Sequence, residues 1–399
     1  MKQSSQTFNA FKLSEDALAI QSTLSNKIQN EISLHNGEVS FSKFMQMALY
    51  EPALGYYQNN LHKFGEKGDF ITAPEMGSSF AYCLANSLVD YFQESKAKDK
   101  VLLEIGAGSG ALAVNLILAF QKLKIELDQY LILEPSAELQ AQQKSWIKYH
   151  LPEQLSKIVW LSELPENFQG IMIANEVADA IPCERIKKIN GQWCQQTVKY
   201  NKQQFEANYI EIGINGGNEK IPDFLKNHLE NYPEGYITEY RPLISAWIKS
   251  LSNSMTSGAL LLIDYGYGCE EFYHPQRVEG SLNCFIRHHS HDDPFQFVGL
   301  QDITAHVDFS QIAHAAYAQS FDVEGYTTQA GFLLENGITE INQELSEQDT
   351  PEQRVNRSKE LQQLLMPGEM GEVIKVILLS KNCKTEINGF SFQDHLHRL

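Results

Sequence analysis

Short runs of apolar residues alternate with helix-like stretches through the middle of the chain. Five of these runs have the length of a strand: KVLLEIG (100–106), DQYLILEPS (128–136), GIMIANE (170–176), GALLLIDYG (258–266) and EVIKVILLSK (372–381). Runs that are apolar on both faces are typical of buried parallel strands, and the helical stretches between them are typical of crossover connections. The pattern predicts an α/β fold around a mostly parallel sheet.

Helical periodicity dominates the chain before the first run. Residues 14–35 place apolar residues on one face behind Ser14 as a candidate cap, which predicts a peripheral helix. Residues 40–59 predict an amphipathic helix that ends before Pro52, followed by an aromatic turn. A further helix is predicted for residues 75–93, with Pro74 placed to open it.

Two stretches interrupt the strand and helix alternation. Residues 186–213 alternate polar and apolar positions, which predicts an antiparallel hairpin or meander inserted above the core. Residues 338–360 are charged and have a helical tendency. The sequence contains no internal repeat and no low-complexity segment.

Composition and charge exclude several classes of protein. With 399 residues, of which 43% are hydrophobic, the chain can bury a large core. Its net charge of −18 argues against nucleic acid or an anionic membrane as the main partner, and favours a basic polypeptide. No apolar run approaches the roughly 18 residues of a membrane span, and the first 16 residues have neither a signal-peptide core nor an Arg-rich pattern. Membrane insertion is therefore not predicted.

The cysteines indicate the compartment. All six are scattered and none forms a Cys-x-x-Cys pair, so neither a disulfide framework nor a zinc ribbon is predicted. This usage favours a reducing compartment, and we expect a cytoplasmic protein. The sequence does not indicate the oligomeric state.

The segment LLEIGAGSGAL (102–112) carries the first chemical signal. Its three glycines, Gly106, Gly108 and Gly110, lie between a strand and a helix, where backbone N–H groups meet a ligand at the carboxyl ends of parallel strands. A nucleotide-like ligand is predicted. Because Ala111 completes the looser pattern G-x-G-x-x-A, the glycines alone leave both a nicotinamide cofactor and S-adenosylmethionine (SAM) open.

Two acids favour SAM. Glu104 at the end of the first strand suits a cationic amino-acid moiety, and it would repel a pyrophosphate. Glu134 at the end of the second strand suits the two hydroxyls of a ribose, because a carboxylate can accept both hydrogen bonds. A glycine-rich turn that only lets a helix pack tightly on the sheet is the remaining alternative.

Several motifs together resemble one family, the MidA-type SAM-dependent methyltransferases, whose mitochondrial relative is the complex I assembly factor that methylates an arginine. The resemblance covers residues 36–382 and rests on seven segments: FMQMALYEPALGYY, GDFITAPE, LLEIGAGSGAL, ANEVADAIP, FYHPQRVEGSLNCFIRHHSHDDP, GLQDITAHVDF and MGEVIKVILLS. One departure is that Val177 and Ala178 follow Asn-Glu, where the family usually has bulky residues.

The resemblance implies a class I, Rossmann-like methyltransferase fold, a SAM cofactor and a protein substrate, with a respiratory-complex subunit as one candidate. The implied divisions are a peripheral helix (1–35), a cap over the cofactor site (36–100), a core (101–382) with an insertion at about 186–255, and a tail (383–399). The implied cofactor site consists of Glu104, Gly106, Gly108, Gly110 and Glu134, with Asp69 and Thr72 as polar contacts from the cap.

The segment ANEVADAIP is the candidate acceptor site. Asn175 and Glu176 lie where the third strand run ends, the position from which side chains reach a ligand in open α/β sheets. Carboxylates there can hold a guanidinium and bias its charge away from the reacting nitrogen. Asp179 is either part of this group or the cap of a following helix or turn.

The segment RHHSHDDP (287–294) has the residue types of a metal site. Adjacent residues cannot all converge on one ion, and direct methyl transfer needs none, so no metal is predicted and we expect a loop over the active site. His306 and Asp308 are candidates for lining an acceptor channel, or belong to an ordinary turn. Glu239 is the next candidate for an acceptor clamp after Glu176.

Three functions remain: a protein arginine methyltransferase, which the sequence favours, a nicotinamide-dependent oxidoreductase, and a methyltransferase-like assembly scaffold without turnover.

Overall fold

The computed structural model describes residues 13–61, 73–94, 100–212, 232–347, 349–383 and 386–399. The helices of these segments are α1 (Glu15–Leu34), α2 (Phe41–Tyr50), α3 (Ala73–Met76), α4 (Ser79–Ser87), α5 (Val89–Glu94), α6 (Ala111–Lys122), α7 (Ala137–His150), α8 (Ile244–Ser254), α9 (Cys269–Phe272), α10 (Phe309–Tyr317), α11 (Gln329–Glu335), α12 (Ile338–Ser346), α13 (Pro351–Leu365) and α14 (Met370–Val373).

The strands are β1 (Val39–Ser40), β2 (Val101–Ile105), β3 (Gln129–Leu133), β4 (Ile158–Leu161), β5 (Phe168–Asn175), β6 (Glu184–Ile189), β7 (Gln192–Asn201), β8 (Gln204–Glu211), β9 (Ile237–Tyr240), β10 (Met255–Tyr267), β11 (Asn283–Ile286), β12 (His289–His291), β13 (Asp302–Thr304), β14 (Val307–Asp308), β15 (Asp322–Thr328) and β16 (Ile374–Lys381).

The central sheet has the order β15-β16-β10-β5-β2-β3-β4, with the short β14 beside β10. From β10 to β4 the strands are parallel, while β16 runs antiparallel to both of its neighbours, β10 and β15. The predicted α/β fold with a mostly parallel sheet is therefore confirmed. The five predicted strands correspond to β2, β3, β5, β10 and β16.

The inner strands of the central sheet are largely apolar because helices cover both faces of the sheet. On β2, Leu102 packs in a core with α4, α6 and α7, whereas Leu103 and Ile105 pack in a second core with α8 and α10. Since successive side chains of a strand point to opposite faces, every position of β2 after the first is buried. The polar ligand-binding groups are left to the strand ends.

A separate antiparallel sheet forms the insertion after β5. Its order is β1-β7-β6-β9, with β8 paired to β7, and it shares a core with α1 and α2. The meander expected for residues 186–213 corresponds to β6, β7 and β8. Helix α8, inside the expected insertion limit of about 255, packs against the central sheet through Ile244, Ile248 and Leu251.

The helix expected for residues 75–93 is three short helices, α3, α4 and α5, and that prediction is wrong. The break between α3 and α4 occurs where the carboxylate of Glu360 from α13 approaches the chain. Its Oε1 accepts from the N–H of Ser79 at 2.9 Å, and a Cβ on Gly77 would lie 2.1 Å from Oε2. A distant residue therefore interrupts the helix, which the local pattern could not indicate.

The residues expected to form a C-terminal tail pack back onto the core. The carboxylate of Glu335 on α11 accepts from the N–H groups of Gly389, Ser391 and Phe392, and the N–H of His395 donates to the carbonyl of Tyr326. Residues 386–399 thereby cover α11 and β15. The charged stretch 338–360 corresponds to α12 and most of α13.

A chain that begins at residue 96 is expected not to fold. It lacks α4, whose Phe80 and Leu84 are fully buried in the core that holds α6. Burial of each such side chain contributes about 1.5–3 kcal/mol, and net stabilities are only about 5–15 kcal/mol. Circular dichroism and soluble yield measure the outcome, with a chain that begins at residue 13 as the folded control. A soluble, folded chain from residue 96 that binds SAM normally would contradict this.

Candidate functional site

A cavity of about 480 Å³ lies at the carboxyl ends of β2, β3 and β5. This volume is within the range of small-molecule sites, roughly 300–1,000 Å³. Its lining includes the turn after β2, the acid after β3, the end of β5, and side chains from α2 and α3. The cavity therefore lies where open parallel sheets bind their ligands.

The glycine turn forms one wall of this cavity through Gly106 and Gly108. Both have the left-handed backbone, with φ of 70° and 50°, which side chains with a Cβ rarely adopt. A Cβ on Gly106 would also lie 3.0 Å from Cγ2 of Val177. Because these positions have no side chains, the turn leaves space for a ligand.

Gly110 has a different position from the other two glycines. It is the N-cap of α6 with φ of 85°, and it is absent from the cavity lining. A Cβ there would lie 3.6 Å from Gln143 and Ile147 of α7. Gly110 therefore lies where α6 packs against α7.

Glu104 is a buried carboxylate at the end of β2. The hydroxyl of Tyr130 donates to its Oε2 at 2.7 Å. Burial raises the pKa of Glu104 to about 7, and the Tyr130 hydrogen bond partly opposes this rise. A cation in the cavity would favour its ionised form, so the site fits the amino-acid end of SAM.

Glu134 follows β3, and neighbouring hydrogen-bond donors hold its carboxylate. Its Oε1 accepts from the N–H of Ser136 at 2.9 Å and its Oε2 from the amide of Gln143 at 3.3 Å. The indole of Trp160 donates to Oε1 of Gln143 at 3.0 Å, which fixes the direction of that amide. A carboxylate can accept hydrogen bonds from both hydroxyls of a ribose, and Glu134 lines the cavity.

Asn175 and Glu176 line the same cavity at the end of β5. Glu176 has a left-handed backbone with φ of 52°, and its N–H donates to the carbonyl of Ile263 on β10 at 2.8 Å. Burial, and then the nearby Asp179, raise the pKa of Glu176 to about 8, which hydrogen bonds from Asn175 and Ala73 partly oppose.

Asp179 is buried beside this site but does not line the cavity. Its carboxylate accepts from the N–H of Ala180, as the turn interpretation expects. Burial raises its pKa to about 6, while the positive charge of Arg241 lowers it.

Arg241 and Asp264 are two further buried residues beside the site, and the sequence did not indicate a role for either. The guanidinium of Arg241 donates to four backbone carbonyls, those of Asp179, Ile181, Ala305 and His306. It therefore fixes the loop after β5 against the segment before β14. Neither residue has a local signal, because each acts on backbone far away in the sequence.

Tyr50 and Tyr57 bring an aromatic wall from the N-terminal segment. Their rings stack at 5.5 Å between centroids and 25° between planes, and both line the cavity. The hydroxyl of Tyr50 donates to the carbonyl of Ala180, and that of Tyr57 donates to Asp302. With both hydroxyls engaged, the rings form an apolar surface that suits a planar or cationic group.

Three candidate substrate residues lie outside the cavity lining, and the expected acceptor channel does not include them. Glu239 is fully buried, pairs with Arg185 at 3.0 Å and accepts from the N–H of Ser281. His306 is buried near the guanidinium of Arg277, and burial lowers its pKa to about 4. Asp308 caps α10. Glu239 and His306 line a separate, much smaller pocket together with Arg277 and Ser281.

The remaining candidate residues are also placed or excluded. Asp69 and Thr72 lie outside the described residues. The histidine segment forms the hairpin of β11 and β12, with left-handed Arg287 and His288 at its turn, and does not line the cavity. Within the segments that the structure describes, no cluster of three or more His, Cys, Asp or Glu could hold a metal ion.

A parallel sheet with a glycine turn, an acid at the next strand end and a small-molecule cavity defines a nucleoside-binding α/β protein. Residues 83–327 match a family described as "Putative S-adenosyl-L-methionine-dependent methyltransferase". The chain belongs to this family. The resemblance inferred from the motifs and the predicted SAM cofactor are confirmed, and the chain is a SAM-dependent methyltransferase.

A solved structure supports this over nearly the whole chain. It is described as a "likely methyl transferase" of Burkholderia thailandensis bound to S-adenosyl-homocysteine. The two proteins are 34% identical with a TM-score of 0.89, covering 98% of this chain and 100% of the other. These findings favour SAM over the nicotinamide cofactor of the alternative interpretation.

Two relatives have a named activity, protein arginine methyltransferase NDUFAF7, mitochondrial. The protein of Danio rerio is 26% identical over 366 residues, 84% of this chain and 82% of its own length. That of Bos taurus is 25% identical over 378 residues, 86% of this chain and 80% of its own length. In the described part of the present chain, no helix is long and apolar enough to span a membrane.

Proposed function

We propose that this methyltransferase transfers the methyl group of SAM to an arginine side chain of a protein. The observation that carries the proposal is the position of Glu176, a carboxylate in the same cavity as the glycine turn and the ring faces of Tyr50 and Tyr57. Carboxylate and aromatic faces together suit a guanidinium. The names of the relatives support the same acceptor.

SAM supplies an electrophilic methyl group on a positively charged sulfur. Glu176 holds the guanidinium and draws its positive charge toward one side, so that the opposite nitrogen is the better nucleophile. As the new C–N bond forms, the C–S electron pair goes to sulfur and the nitrogen loses a proton. A carboxylate with a pKa near 8 can accept that proton before it passes to water.

The pH dependence of transfer follows from this role. Because burial raises the pKa of Glu176 to about 8, most of the protein carries a neutral Glu176 at pH 7. The guanidinium of the acceptor has a pKa above about 12, so it stays positively charged over this pH range. Its ion pair with Glu176 therefore requires that Glu176 has lost its proton. We expect kcat/KM for the acceptor to rise from pH 6 through the pKa of Glu176 and to flatten about one pH unit above that pKa.

The control for the pH profile is Glu176→Gln, whose weak residual activity should lack this rise. Bound SAM is a cation and lowers the pKa of Glu176, so the midpoint at saturating SAM should lie at or below about 8. A wild-type profile that falls between pH 6 and 8 would contradict the assignment.

A respiratory-complex subunit is our proposal for the substrate, and the cytoplasm is our proposal for the location. A net charge of −18 favours a basic segment as the acceptor. All six cysteines are free, which is consistent with a reducing compartment.

Labelling with tritiated methyl groups tests the proposed function. Wild-type protein and [methyl-³H]SAM are added to a lysate of cells that lack this protein, and the labelled band is hydrolysed for amino-acid analysis. We expect labelled methylarginine, and no label with a Gly108→Val variant. Label on another amino acid would contradict the arginine acceptor, and SAM binding without any labelled band would favour a scaffold.

A further inference from the structure

Asp264 is a fully buried carboxylate at the carboxyl end of β10, next to the end of β5. Its Oδ2 accepts from three successive N–H groups, those of Val177, Ala178 and Asp179, at 3.1, 2.7 and 3.2 Å. Its Oδ1 accepts from the N–H of Tyr265 at 2.8 Å. One side chain thus accepts hydrogen bonds from four backbone N–H groups.

The three successive bonds determine the path of the chain directly after Glu176. The N–H of Glu176 donates to the carbonyl of Ile263, and the following three N–H groups turn around Asp264. Between these two attachments Glu176 has its left-handed backbone, with φ of 52°. Such a conformation is uncommon for residues other than glycine and requires support from its surroundings.

The same turn also contacts the cofactor side of the cavity. Val177, held through its N–H by Asp264, lies against Gly106, where a Cβ would approach its Cγ2 to 3.0 Å. Displacement of the turn would therefore move both the acceptor carboxylate and its neighbour at the glycine turn. Burial, and then repulsion by the carboxylates of Asp179 and Glu176, raise the pKa of Asp264, while the hold of Asp264 on the direction of Glu176 passes through the backbone.

The geometry points to Asp264 as the positioning residue that holds Glu176 in its acceptor-binding direction. The inference rests on the proposed function, because it assumes that Glu176 binds the methyl acceptor. Asp264 does not line the cavity, so its side chain does not contact the substrate. Its contribution is the shape of the turn from Glu176 to Asp179.

The substitution Asp264→Asn tests this role with little change in size. Only a carboxylate can accept at both oxygens, since an amide has an NH2 group at one end. In one orientation the NH2 group of Asn faces the N–H of Tyr265, which then has no acceptor. In the other orientation the NH2 group faces the N–H groups of residues 177–179, which then have no acceptor. The Asn variant cannot satisfy the four donors, whichever orientation it adopts.

Thr328→Val is the matched control for a purely structural loss. Thr328 is a buried N-cap at the end of β15, its Oγ1 accepts from the N–H of Gly331, and it is absent from the cavity lining. Like Asp264, Thr328 accepts a hydrogen bond from a backbone N–H group near the end of a strand of the central sheet. Valine keeps its shape and removes the acceptor, so the fold loses stability without any change at Glu176.

The first measurement is a double-mutant cycle on methyl transfer to the labelled acceptor. We expect Asp264→Asn to lower kcat at least about tenfold and to weaken SAM binding by a smaller factor, through Val177 at the glycine turn, and we expect Thr328→Val to leave kcat unchanged. Added to Glu176→Gln, Asp264→Asn should lower the rate by less than about threefold, because both changes remove the same interaction. A full tenfold loss on top of Glu176→Gln would overturn the inference.

The second measurement needs no acceptor. Hydrogen exchange should be at least about tenfold faster at the N–H groups of Val177, Ala178 and Asp179 in Asp264→Asn than in wild type, and unchanged in Thr328→Val. Equal exchange in wild type and Asp264→Asn would overturn the inference even if no acceptor is found. Amino-acid analysis of the labelled product reports separately on the proposed function, so the two failures are distinguishable.

Discussion

Replacing Glu176 by Gln is expected to slow methyl transfer by about 100-fold or more, the scale of losing one electrostatic stabiliser. Glutamine keeps the size and part of the hydrogen bonding of Glu176 but cannot draw the charge of a guanidinium. Affinity for SAM should be nearly unchanged, because Glu104 and Glu134 are untouched. Single-turnover transfer to the labelled acceptor measures the rate, and calorimetry measures SAM affinity.

Glu239→Gln is the matched comparison for this substitution. Glu239 is a buried glutamate outside the cavity lining and pairs with Arg185, so its loss should lower stability more than the rate of transfer. Asp179→Asn should slow transfer less than Glu176→Gln, since Asp179 does not line the cavity. If Glu176→Gln stays within a few-fold of wild type while Glu239→Gln does not, the acceptor clamp lies elsewhere.

Replacing Gly108 by Val is expected to abolish SAM binding and to preserve the fold. The left-handed backbone of Gly108 costs a residue with a Cβ about 1–2 kcal/mol, which is less than the usual net stability of about 5–15 kcal/mol. The new side chain would extend from a wall of the cavity into the ligand space. We expect affinity to fall more than about 100-fold, or about 2.8 kcal/mol.

The control for the glycine prediction is Gly191→Val. Gly191 also has a left-handed backbone, with φ of 77°, but it lies in the turn between β6 and β7, and no atom is within 4 Å of a Cβ built there. It carries the same backbone cost without touching the cavity. Undiminished SAM affinity in a folded Gly108→Val protein would contradict the placement of the cofactor.

The cofactor side of the site could be predicted from sequence because its signals are local. Gly106 and Gly108 follow directly after an apolar strand, and Glu134 ends the next strand run, so the rule for open α/β sheets places them together. The end of β5 was predictable for the same reason. Gly110 satisfied the same spacing, but its position on α6 depends on how that helix packs against α7.

The acceptor side depends on contacts between distant segments. Asp264 is the one acidic residue of the apolar run 258–266. Its function arises only when β10 pairs with β5, because its three partners lie 85 to 87 residues away in the sequence. Tyr50 and Tyr57 predict only an aromatic turn until α2 is placed over the loop that contains Ala180. Tertiary packing determines these positions, so local sequence patterns do not predict them.

Strands β4 and β15 of the central sheet were missed for similar reasons. Strand β4 has only four residues, and its Val159 is exposed, so no long apolar run marks it. Strand β15 contains Asp322, Glu324 and Gly325, and is stabilised at the sheet edge by β16 and the returning C-terminal residues. Short or polar strands at an edge depend on their neighbours for stability more than on their own pattern.

The most direct measurement for this account is a crystal structure with S-adenosyl-homocysteine and a peptide that carries the labelled arginine. We expect the ribose hydroxyls at Glu134, the amino-acid end near Glu104, and the guanidinium within about 3 Å of Glu176, the usual length of a charge-assisted hydrogen bond. A cofactor in this cavity with the guanidinium away from Glu176, or a cofactor bound outside the cavity, would contradict the account.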